Sequence, residues 1–75
     1  MWKKITENEF SFSIPGKALK FETVVLPLPD KNGKIAKYKA NVLFKGFLLL
    51  EKENSNKNVL INDIKKRLET MFKWF

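Results

Sequence analysis

Five lysines, Lys31, Lys34, Lys37, Lys39 and Lys45, stand in a stretch from Lys31 to Leu50 that contains no acidic residue. On an extended strand, side chains two residues apart share a face and sit roughly 6.5–7 Å from each other. That repeat is comparable to the spacing of successive phosphates along a nucleic-acid backbone, so a lysine-lined strand can complement a polyanion. The candidate surface is Lys34, Lys37, Lys39 and Lys45, with Asn41 able to add a hydrogen bond. Fourteen lysines stand against a single arginine, so bidentate reading of base edges is not expected. The contact would be to the sugar–phosphate backbone of DNA or RNA, with weak sequence selectivity. The plainer account of the same residues is a solvated sheet face in a lysine-rich chain, with lysines protecting an edge.

The charge is local. Residues 1–30 carry four basic side chains (Lys3, Lys4, Lys17, Lys20) and four acidic ones (Glu7, Glu9, Glu22, Asp30), which cancel. Residues 51–75 carry six basic and four acidic, or +2, so residues 31–50 supply +5 of the net +7.

Other chemistry is sparse. The chain has no cysteine and no histidine, which excludes disulfides, Cys/His zinc sites and the usual histidine-dependent triads. Glu51 and Glu53 share a strand face and in principle could bind a metal or transfer protons, but beside a polar loop they read as solvated surface. No glycine-rich phosphate loop is present. A non-enzymatic protein without metal or cofactor is expected. Phe47 and Trp74 are the side chains that could anchor a protein partner, because large aromatics are enriched at binding hot spots.

These residues need elements to position them. Glu9–Ile14 alternates cleanly, with Phe10, Phe12 and Ile14 on one face, and Pro15-Gly16 ends it. Residues 18–28 form a second strand, and Pro27 and Pro29 place its end at a sheet edge or at its exit. Asp30-Lys31-Asn32-Gly33 predicts a tight turn between antiparallel neighbours. Residues 34–44 form a third strand with Tyr38, Ala40, Val42 and Phe44 on the apolar face, opposite Lys37, Lys39 and Asn41. Gly46 is either a bulge in one bent strand or a turn into a fourth strand, Phe47–Glu53.

The last element is helical. At 100° per residue Leu60, Ile61, Ile64, Leu68, Met71, Phe72 and Phe75 fall in one apolar stripe. Asn58 is the expected N-cap, with Asn62 as the alternative. Asp63–Arg67, Lys65–Glu69 and Glu69–Lys73 are its expected i,i+4 pairs.

The expected fold class is α+β: residues 1–75 form one domain, a small antiparallel sheet of three to four strands with a C-terminal amphipathic helix packed on one face. The Lys37/Lys39/Asn41 face must be the open one, since unpaired charges under the helix would be costly. The longest apolar run, Phe47–Leu50, is far below the ~20 residues of a membrane helix, and no secretory signal is apparent. A cytoplasmic protein with no membrane partner is expected. Two functions fit this reading. One is a small basic nucleic-acid-binding module. The other is a small protein-binding regulator or inhibitor, of the kind phages and mobile elements use to block a host enzyme, docking on an acidic protein surface. A homodimer through the Val24–Leu28 edge or through the uncovered part of the sheet is compatible with either.

Overall fold

The structure, a computed structural model, describes residues 1–14 and 16–72. The expectations placed on Pro15, Lys73, Trp74 and Phe75 lie outside the described residues. The elements are β1 (Trp2–Thr6), β2 (Glu9–Ile14), β3 (Leu19–Pro29), β4 (Ile35–Phe44), β5 (Phe47–Asn54) and α1 (Lys57–Met71). The strands form one antiparallel sheet in the order β1-β2-β3-β4-β5. The sheet thus has five strands rather than three to four.

The additional strand is β1. Its sequence, Trp-Lys-Lys-Ile-Thr, shows no alternation because only Trp2 meets the core. Trp2 stacks on Phe10 with ring centroids 5.1 Å apart. The pairing slips between Lys4 and Thr6, which further blurs the pattern.

Each connection follows from its residues. In the β3–β4 turn the Asp30 carboxylate accepts the backbone N–H groups of Asn32 (2.8 Å) and Lys34 (3.0 Å). Gly33 takes a left-handed φ of 80°. The β4–β5 connection is a two-residue turn: Phe44 faces Phe47, while Lys45 (φ 51°) and Gly46 (φ 83°) are both left-handed. That is the type I′ geometry that matches strand twist. Gly46 therefore marks a turn, and the bulge lies instead at Leu49, where the register shifts between Val42 and Leu43.

The core lies between the sheet and α1. Phe10, Phe12, Ile14, Phe21, Val25, Ala40 and Val42 come from the sheet, and Leu60, Ile64 and Leu68 from the helix. Each large apolar side chain buried here contributes about 1.5–3 kcal/mol. The buried helix line runs Leu60–Ile64–Leu68–Phe72, an i,i+4 ridge that drifts around the axis. Phe72 rests on Phe21, with centroids 4.6 Å apart, and on Phe12. At that end the sheet meets the Phe72 side of the helix, so Met71 is exposed although the helical wheel puts it in the apolar stripe.

The helix starts slightly earlier than expected. Asn56, not Asn58 or Asn62, is the N-cap, and its side-chain oxygen accepts the Val59 N–H at 3.1 Å. Asp63 does pair with Arg67, at 3.9 Å, but its closer partner is Lys52 of β5 at 2.9 Å.

β3 and β4 outrun their neighbours. β2 pairs with β3 only as far as Glu9–Val24, and β5 pairs with β4 only as far as Tyr38–Asn54. Beyond these points β3 and β4 continue as a two-stranded arm, closed by the Asp30–Lys34 turn. The molecule measures 47 × 21 × 20 Å.

Candidate nucleic-acid interface

β4 places Lys37, Lys39 and Asn41 on the sheet face away from α1, as the alternation requires, because Ala40 and Val42 are fully buried on the other. The neighbouring strand changes their electrostatics. Lys37 Nζ lies 2.5 Å from Glu53 Oε1, and Lys39 Nζ lies 3.0 Å from Glu51 Oε1. Both are diagonal cross-strand pairs, since Lys39 faces Glu53 and Asn41 faces Glu51 in the register. The hydrogen bond from Lys37, with the charges of Lys37 and Lys39, holds the Glu53 carboxyl below its ordinary value. Asn41 sits between the paired lysines and the core end of the face, and its Oδ1 accepts no hydrogen bond among the described residues.

The same accounting extends across the open face. The register puts Lys3, Lys20, Lys37 and Lys39 there, together with Glu9, Glu22, Glu51 and Glu53. Four positive charges against four negative leave it formally neutral. The lysine-rich strand therefore does not make a lysine-rich face. The excess positive charge comes from the turns and the helix.

Lys34 and Lys45 lie far apart. Lys34 closes the β3–β4 turn and Lys45 sits in the β4–β5 turn at the other end of β4. The ten residues of β4 lie between them, and eleven steps of about 3.3 Å put them about 36 Å apart. Lys45 reaches over the Phe44 ring, 5.4 Å from its centroid. The five candidate residues thus divide into a neutralised middle (Lys37, Lys39, Asn41) and two separate ends.

The arm end differs from the middle. Lys31 and Lys34 are exposed and form no ion pair among the described residues. The nearest acidic residue in sequence, Asp30, is engaged by backbone N–H groups. Lys31 is absent from the sequence-derived surface, as are exposed Ile35, opposite Pro29 next to the turn, and exposed Leu26, opposite Lys39 at the base of the arm. The signal for them is strand length: residues 18–28 and 34–44 are too long to be matched by residues 9–14, so an overhang is unavoidable.

Phe47 is the other exposed candidate. It is 74% exposed and begins β5, an edge strand, followed by exposed Leu48 and Leu49. Trp74 lies outside the described residues.

Among the described residues no group of three or more His, Cys, Asp or Glu is gathered that could hold a metal. No described helix is long and apolar enough to cross a membrane. No family model, curated protein or solved structure matches the chain.

Proposed function

We propose that this chain is a small nucleic-acid-binding module that holds the sugar–phosphate backbone through lysines at the end of the β3–β4 arm. The observation that carries this reading is the contrast between two lysine sets. Lys37 and Lys39 are neutralised by Glu53 and Glu51, while the ammonium groups of Lys31 and Lys34 form no ion pair among the described residues. Binding proceeds by counterion release, so affinity falls steeply with salt. With one arginine in the chain, selectivity among sequences is weak. An intracellular site of action accompanies this role. Fluorescence anisotropy with labelled random-sequence oligonucleotides at low and near-physiological salt tests it. Salt-sensitive binding supports the reading, and absence of binding at low salt ends it.

The exposed run Phe47-Leu48-Leu49 favours a second reading, a protein-binding regulator or inhibitor anchored at the start of β5. In that case Phe47→Ser abolishes capture of a specific protein target and leaves oligonucleotide affinity unchanged.

A further inference from the structure

We propose that the β3–β4 arm is a ribbon that enters a groove of double-stranded DNA, an inference that rests on the nucleic-acid reading above. Past Val25 and before Tyr38 the arm has no pairing partner beyond its own two strands. Paired strands lie about 4.8 Å apart. The B-DNA major groove, about 12 Å wide, admits such a two-stranded ribbon. The deep, narrow major groove of an A-form RNA duplex does not.

The arm's chemistry matches that groove. Lys31 and Lys34 flank the turn and reach phosphates. Asn32, between them, carries the amide that can pair with an adenine edge. Ile35 (55% exposed), opposite Pro29 next to the turn, offers aliphatic surface to thymine methyl groups.

Other occupants fit less well. Single strands are held on exposed aromatic platforms. The arm's aromatic residue, Tyr38, is half-buried on the helix side, with Lys57 Nζ 6.0 Å from its ring centroid. A further β-strand is disfavoured along the β3 edge. The Val25 N–H points outward to Asn8 O at 2.8 Å, so the backbone nitrogens of Pro27 and Pro29 occupy the same outward positions and donate nothing.

The test compares two charge-matched variants, Lys31→Glu/Lys34→Glu on the arm and Lys65→Glu/Lys66→Glu on the helix. Each lowers the net charge from +7 to +3. Anisotropy is measured with a short random DNA duplex, the RNA duplex of the same sequence and the DNA single strand, and circular dichroism confirms folding. The arm variant should lose about tenfold or more in affinity for the DNA duplex, and its salt slope should shrink by about 2. The helix variant should lose less than about threefold. The parent should prefer the DNA duplex to both other probes. Equal losses in the two variants, or equal affinity for DNA and RNA duplexes, would overturn the ribbon inference and leave nucleic-acid binding standing. No binding of any probe by the parent would overturn both.

Discussion

Lys37 of β4 and Glu53 of β5 are diagonal neighbours across the open sheet face, joined at 2.5 Å. With the parallel pair Lys39–Glu51 at 3.0 Å, they turn a strand that reads as basic into a face that is neutral. The consequence is a redistribution. A continuous stripe of phosphate contacts along β4 is not available, and of the lysines in the Lys31–Leu50 stretch those without an ion pair among the described residues are Lys31 and Lys34 at the arm and Lys45 in the β4–β5 turn.

Replacing both carboxylates should therefore create the surface that the sequence alone suggests. Glu51→Gln/Glu53→Gln raises the open face from neutral to +2 and frees Lys37 and Lys39. Duplex DNA affinity at low salt should increase by about tenfold, with a steeper salt slope. Unchanged affinity would show that this face stays clear of the nucleic acid.

Glu53 and Asp63 contribute to the acid behaviour. The Lys37 hydrogen bond and charge hold Glu53 below its ordinary 4.5, and the Lys52 hydrogen bond chiefly holds Asp63 below 3.8. A depressed carboxyl binds fewer protons in the folded chain, so its contribution to stability is present above those values and lost as pH falls through the lowered ones. Melting temperature should drop on the acid side of about pH 4.5. Glu53→Gln and Asp63→Asn should each flatten that drop. Acid melting curves identical to the parent's would contradict the assignment.

Thr23 is 1% exposed and its hydroxyl has no hydrogen-bond partner among the described residues. Leaving a buried hydroxyl unpaired costs about 1–3 kcal/mol. Thr23→Val keeps the shape and removes the polar atom. It should stabilise the fold by about 1 kcal/mol, raising the melting temperature by about 4–8 °C. A lower melting temperature would mean that the hydroxyl is satisfied in solution.

Asn56→Ala removes the side-chain acceptor of the Val59 N–H. It should destabilise the protein by about 1 kcal/mol in denaturant unfolding, whereas Asn58→Ala should be nearly silent. Equal effects would place the helix start elsewhere.

Much of the fold is legible in the chain. Alternation at Phe10/Phe12/Ile14 and at Tyr38/Ala40/Val42 reports strands with one buried face, and Asp30–Gly33 reports its hairpin. β1 is not legible, because a strand with a single core residue, Trp2, carries no period. The N-cap is ambiguous because Asn54, Asn56 and Asn58 all precede the apolar ridge, and only helix phase selects among them. For the candidate site the faces are legible but the neutralisation is not. That Lys37 and Lys39 are basic is a property of one strand. That Glu53 and Glu51 lie diagonal to them depends on the β4–β5 register, which the Lys45-Gly46 turn and the Leu49 bulge fix together.

The most direct measurement is a salt titration of duplex DNA binding by the unmodified protein, followed by anisotropy. The account predicts that the logarithm of affinity falls linearly with the logarithm of salt, with a slope of about −2 or steeper, the share owed by Lys31 and Lys34. A protein that fails to bind at low salt, or binds with no salt dependence, would contradict it.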